Sequence, residues 1–199
     1  MEKLIIGLTG PTGSGKTTFS ALAEGEGFSV INADEVAHRV TDQNEDCRRD
    51  LKEAFGKIFN ADGTLDRKAL AAKAFRDAAS TKKLNQITLP YITREIEILI
   101  KEGGDKVLLD APTLFEAGAD RLCFATVGVI AEESLRLKRI ISRDGIDEER
   151  AKLRISAGKP DSFYRENCHF LIENSGDLET LKSLCLKTIK EITEKFDET

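Results

Sequence analysis

Eight residues near the N-terminus, Gly10-Pro11-Thr12-Gly13-Ser14-Gly15-Lys16-Thr17, constrain this chain more than any other stretch. They follow an apolar run, Leu4 to Thr9, that reads as a strand buried on both faces. A helical pattern from Lys16 to Glu24 follows them. The spacing matches the phosphate-loop pattern Gly-x-x-x-x-Gly-Lys-Thr in full. Glycines at 10, 13 and 15 let the backbone wrap around phosphate oxygens without a side-chain clash. The helix opening at Lys16 turns free N–H groups and a positive dipole toward them. Lys16 is suited to bridge β- and γ-phosphates, and the Thr17 hydroxyl to ligate Mg²⁺. A plain glycine turn before a helix is the competing reading, and the flanking strand and helix weigh against it. Thr12, Gly13, Ser14, Gly15, Lys16 and Thr17 are therefore the candidate contacts to ATP.

Further apolar runs at Phe28–Asn32, 106–110, 125–130 and 170–174 read as strands, most of them separated by helical patterns. That alternation argues for a parallel sheet covered on both faces. The expected fold class is a three-layer α/β/α P-loop kinase with a five-stranded parallel sheet. The stretch 46–102 breaks the alternation: it is helical throughout, with breaks near Asn60–Gly63 and at Leu89–Pro90, and reads as a helical substrate insertion. Residues 133–165 read as a helical lid. One domain, 1–199, then has its core in 1–45, 103–132 and 166–199. The final helix, Asp177 to Phe196, places Leu178, Leu181, Cys185, Ile189, Ile192 and Phe196 on one side, a spacing that means packing on the sheet.

Three further positions carry candidate chemistry. Asp110 ends an apolar run, where a carboxylate can contact Mg²⁺ through water or cap a turn. Asp34 closes the second strand, at the sheet edge where open α/β folds bind ligands. It can take the proton of an attacking hydroxyl or cap the helix that follows. Arg139 and Arg143 are i, i+4 neighbours that can clamp a phosphoryl group. They belong to a basic run with Arg136, Lys138, Arg150, Lys152, Arg154 and Lys159, and a solvated helical face is the plainer reading of such a run.

The net charge of −5 gives no global electrostatic case for nucleic acid. Cys47, Cys123, Cys168 and Cys185 are scattered, which argues against a disulfide framework or a zinc site. Cys168 and His169 adjoin, but neighbours in a strand face opposite ways and share a metal poorly. No apolar run approaches the ~20 residues of a membrane span. A cytoplasmic protein with reduced thiols is expected, and its oligomeric state has no signature in the sequence.

Nearly end to end, the residues resemble the dephospho-coenzyme A kinase family. Leu8-Thr9-Gly10 with Gly13-Ser14-Gly15-Lys16 resembles the family's opening, and Asn32-Ala33-Asp34 with His38 its Asp-Ala-Asp segment. Within the insertion the matching residues are Phe55-Gly56, Asp62-Gly63, Leu65-Asp66-Arg67 and Leu84-Asn85. The segment from Asp110 through Pro112, Leu114 and Phe115 to Glu116 is similar to its Pro-Leu-Leu-Phe-Glu stretch. Arg139, Arg143-Asp144-Gly145 and Arg154-Ile155 match its lid, and Ile172-Glu173-Asn174-Ser175-Gly176 its closing strand.

The resemblance implies transfer of the ATP γ-phosphate to the ribose 3′-hydroxyl of dephospho-coenzyme A, the last step of coenzyme A synthesis. It implies Asp34 as base, Lys16 and Arg143 at the transferring phosphate, and Arg139 on the nucleotide. Asp110, Pro112, Phe115 and Glu116 would meet the acceptor, with Mg²⁺ on Thr17 and, through water, on Asp110. The chain departs from the family at Leu89 (usually His), Thr113 (Leu), Gly158 (Gln) and Pro11-Thr12 (Gly-Ile).

Three other classes compete. The loop also resembles the opening of tRNA prenyltransferases, but those are longer and carry Asp-Ser where this chain has Ala33-Asp34. A GTP-dependent switch needs an Asn/Thr-Lys-x-Asp guanine reader, and the nearest string is Gly158-Lys159-Pro160-Asp161. A kinase of another small metabolite, a nucleoside or a sugar acid, shares the expected fold.

Overall fold

The computed structural model describes residues 2–199. Its strands are β1 (Leu4–Thr9), β2 (Ser29–Asn32), β3 (Lys106–Asp110), β4 (Ala125–Ile130) and β5 (Phe170–Glu173). The helices are α1 (Lys16–Gly25), α2 (Ala33–Gln43), α3 (Glu45–Phe55), α4 (Arg67–Ala74), α5 (Ala78–Glu102), α6 (Glu133–Asp144), α7 (Glu148–Ser156), α8 (Asp161–Asn167) and α9 (Leu178–Asp197). A short 3-10 turn, Ala119–Leu122, precedes β4. The strands form one sheet in the order β2-β3-β1-β4-β5, an α/β architecture. β1 pairs in parallel with both β3 and β4, and β4 with β5. The chain therefore leaves β1 toward one side of the sheet and later crosses to the other. The loop after β1 sits at that reversal, where open sheets gather ligands.

The chain divides into two compact units, one of residues 2–31 and 103–199, the other Asn32–Glu102. In the first, Leu4, Ile6 and Leu8 of β1 and Val127 and Val129 of β4 are buried together with Phe19 and Ala23 of α1 and Leu181, Cys185, Ile189 and Ile192 of α9. Continuous apolar strands are what a sheet covered on both faces requires. Leu178 departs from the expected stripe: it is 56% exposed in the first turn of α9, just after the cap that Asp177 gives to Thr180 N at 2.8 Å. Phe196 is half-buried and meets Phe124 edge-on, with ring centroids 5.1 Å apart.

The stretch expected as one helical lid is three short helices. Asp147 caps α7 by accepting from Arg150 N at 2.8 Å, and Pro160 stands at the cap of α8. Ile140, Ala151 and Ile155 form a small apolar cluster joining α6 to α7.

The second unit begins at Asn32, earlier than the insertion expected from residue 46, because α2 packs on α5 as α3 and α4 do. α5 also runs straight through Leu89–Pro90, where a break was expected. An internal proline costs a helix about 3 kcal/mol. That local cost is outweighed by packing: Ile96 and Ile100 are buried further along α5, and a fully buried side chain of this size is worth about 1.5–3 kcal/mol. The break falls instead before α5, where Asp77 Oδ1 accepts from Ser80 N at 2.7 Å. Lys73 donates to the carbonyls of Phe55 and Lys57, and Lys83 to that of Ala54. Cations thus meet the negative end of α3, a favourable placement for a helix C-terminus.

All four cysteines are free thiols. Burial pushes Cys123 up to about 12 and Cys47, Cys168 and Cys185 to about 11. His169 is exposed, and its Nδ1 accepts from Thr126 N at 3.1 Å.

Candidate active site

The loop expected to hold phosphates is built as its sequence dictates. Gly10 and Gly15 have φ of 142° and 109°, where side chains are strained. A Cβ on Gly10 would lie 2.1 Å from the Val129 carbonyl oxygen, and one on Gly15 would lie 2.5 Å from Asn174 Nδ2. Only glycine lets the loop sit this close to β4 and β5. Lys16 Nζ donates to the carbonyls of Gly10 at 2.7 Å and Pro11 at 3.2 Å, so the ammonium lies along the loop that encloses it. Thr17, in the first turn of α1, is exposed.

Two side chains brace the loop from outside. Asn174, buried just beyond β5, donates from Nδ2 to the Ser14 carbonyl at 2.7 Å. Arg139 of α6 donates from Nη1 to the carbonyls of Gly13 at 3.3 Å and Ser14 at 3.5 Å, and from Nη2 to Asn174 Oδ1 at 3.4 Å. Arg139, expected at the nucleotide, is therefore at the loop. Asn174 was not among the expected site residues, though a polar side chain ending an apolar strand on the ligand edge was a usable signal.

At the end of β3, Asp110 Oδ2 accepts from Ser20 Oγ at 3.0 Å. Ser20 follows Lys16 by one helical turn, and its Oγ lies 3.3 Å from the Lys16 carbonyl oxygen. Sequence reading missed Ser20 as well. Thr9 Oγ1 donates to the Pro112 carbonyl at 3.1 Å, which ties the segment after β3 back to β1. Phe115 meets Phe163 of α8 edge-on at 5.7 Å, and Glu116 is exposed.

Arg143 is turned to its own neighbour. Its Nε and Nη2 donate to the two oxygens of Asp144 at 2.7 and 3.0 Å, and Arg154 shares that carboxylate. The hydrogen bond from Arg143 holds Asp144 below the usual carboxylate range.

Arg136 does not belong to the solvated face expected for its run: it is buried, 6% exposed, with Nη2 3.8 Å from Asp161 Oδ1. An unpaired buried donor costs about 1–3 kcal/mol.

In the second unit, Asp34 stands exposed in the first turn of α2. It is not that helix's cap. Asn32 is, with Oδ1 accepting from Asp34 N at 3.0 Å and Glu35 N at 3.2 Å. The carboxylate is therefore not occupied by capping.

Residues 4–180 match the family model described as dephospho-CoA kinase. A dephospho-CoA kinase of Corynebacterium efficiens is 38% identical, over 95% of this chain and 97% of its own length. A solved dephospho-CoA kinase from Campylobacter jejuni is 29% identical at a TM-score of 0.70, covering 96% of this chain and 98% of that one. A solved Thermus thermophilus protein is 31% identical at a TM-score of 0.84, with the same coverage.

Proposed function

This chain belongs to the dephospho-CoA kinase family, and on that premise we propose how its residues divide the work. The enzyme uses ATP to phosphorylate dephospho-coenzyme A in coenzyme A biosynthesis, and we place the new phosphate on the ribose 3′-oxygen. Phosphoryl transfer of this kind asks the protein mainly for positioning and charge stabilisation. The observation that carries the reading is the Gly10–Thr17 loop, braced by Asn174 and Arg139 at the edge of β1.

The loop N–H groups and the Lys16 ammonium hold the β- and γ-phosphates. Arg139 steadies the loop and the nucleotide on it. Arg143, released from Asp144, meets the charge that develops on the moving phosphoryl group. Asp34 takes the proton of the 3′-hydroxyl as that oxygen bonds to the γ-phosphorus. The bond from phosphorus to the bridging oxygen breaks, and ADP leaves.

The oxygens of Thr17 and Asp110 suit Mg²⁺, a hard cation that takes one or two protein ligands and keeps several waters. Bound there, it would neutralise phosphate charge. Ser20 orients the Asp110 carboxylate for that task. Pro112, Phe115 and Glu116 meet the acceptor. The helical unit supplies the variable part of acceptor recognition, and α6–α8 close over the triphosphate and exclude water, which would otherwise compete as acceptor. The expected setting is the cytoplasm.

The test is Asp34→Asn, which keeps the side chain's shape and removes its basicity. Turnover should fall about 10²- to 10⁴-fold with the melting temperature unchanged. A drop of only a few-fold would take the base role away from Asp34.

A further inference from the structure

Among the described residues, Arg136 is the only Lys, Arg, Asp or Glu side chain that is buried. Its backbone packs under the phosphate loop: a Cβ on Gly13 would lie 3.0 Å from the Arg136 carbonyl oxygen and 3.2 Å from its Cα. Its guanidinium faces Asp161, the first residue of α8, at 3.8 Å, an ion pair too long to be a hydrogen bond. Nε and Nη1 of Arg136 and Oδ1 of Asp161 make no hydrogen bond among the described residues. The same charges converge on Tyr164, one turn along α8. Burial raises that phenol to about 12, Glu116 and Asp161 push the same way, and Arg136 pulls it down.

A buried guanidinium with two unpaired nitrogens opposes stability, and an apolar side chain of similar size would pack there without that cost. The charge therefore serves placement. Arg136, Arg139 and Arg143 are spaced three and four apart along α6, so they share one face of the helix. A small roll of α6 that shortened the contact to Asp161 would move all three together.

We propose that Arg136 is a positioning residue whose ion pair with Asp161 sets the roll of α6 and so aims Arg143 at the transferring phosphate. This rests on the reading that Arg143 acts at the phosphates. Arg136 is buried and works through its neighbours on the helix.

The experiment is steady-state kinetics with ATP, Mg²⁺ and dephospho-coenzyme A, beside thermal melts, on the full chain. Arg136→Met should melt at the same temperature or higher, yet lose about tenfold or more in kcat while KM for ATP stays within about twofold. Arg136→Lys, which keeps the charge, should recover part of the loss. Asp161→Asn, at a partly exposed position that tolerates change, should reproduce the kcat loss, and the double variant should be no slower than Arg136→Met alone. Normal kcat in Asp161→Asn, or losses that multiply in the double variant, would overturn the proposal, as would an Arg136→Met that melts lower and keeps its kcat. If Arg136→Met does not fold, Asp161→Asn alone decides. Arg143→Ala separates the two layers: normal kcat there removes the underlying reading, whereas a slow Arg143→Ala beside a normal Asp161→Asn removes this one.

Discussion

Asn174 Nδ2 donates to the Ser14 carbonyl at 2.7 Å while its Oδ1 accepts from Arg139, so one buried amide joins the end of β5, the phosphate loop and α6. Asn174→Ala removes the shorter of the two hydrogen bonds to the Ser14 carbonyl and the acceptor of Arg139 Nη2. It should lower stability by about 1–3 kcal/mol and raise KM for ATP, read by a denaturant melt and by initial rates. Unchanged values in both would mean that the loop holds its shape unaided.

Lys16 lies along the loop, donating to Gly10 and Pro11. Neutral carbonyls are weak partners for an ammonium, and anionic phosphate oxygens are stronger ones. Lys16→Ala should therefore abolish ATP-dependent turnover while leaving the circular dichroism spectrum and the melt close to wild type. Normal kcat in that variant would remove the phosphate-binding role.

Asp144 gives α6 and α7 a defined response to acid. The hydrogen bond from Arg143 depresses its folded-state pKa below the unfolded value, so the stabilisation it brings is present above the ordinary carboxylate range. It is lost as pH falls through the depressed value. Amide exchange in α6 and α7 should speed up over that acidic window in the wild-type protein. In Asp144→Asn it should already be fast at neutral pH and change little on acidification. Identical pH profiles for the two proteins would show that the contact contributes nothing to α6 and α7.

Much of this architecture is legible in the sequence, for local reasons. The strands are continuous apolar runs that end in turn residues, and the loop motif demands a strand before it and a helix after it. Features that depend on tertiary contact stayed hidden. Pro90 looks like a helix break because its cost is local, whereas the packing that carries α5 through it is not. Asn32 and Asp34 both fit the start of α2, and only the hydrogen bonds to Asn32 settle which of them caps it. Ser20 and Asn174 acquire their parts from strand order, which brings β3 and β5 to the loop. Arg136 is indistinguishable in sequence from its solvated neighbours until the fold buries it beside Asp161.

The most direct test is ADP release by the purified protein with ATP and Mg²⁺, measured with dephospho-coenzyme A, with adenosine, with AMP and without acceptor. Strong acceleration by dephospho-coenzyme A, and much weaker acceleration by adenosine or AMP, is expected if the acceptor is read beyond its nucleoside. Equal acceleration by all three would contradict the acceptor assignment, and no acceleration by any of them would contradict the kinase assignment itself.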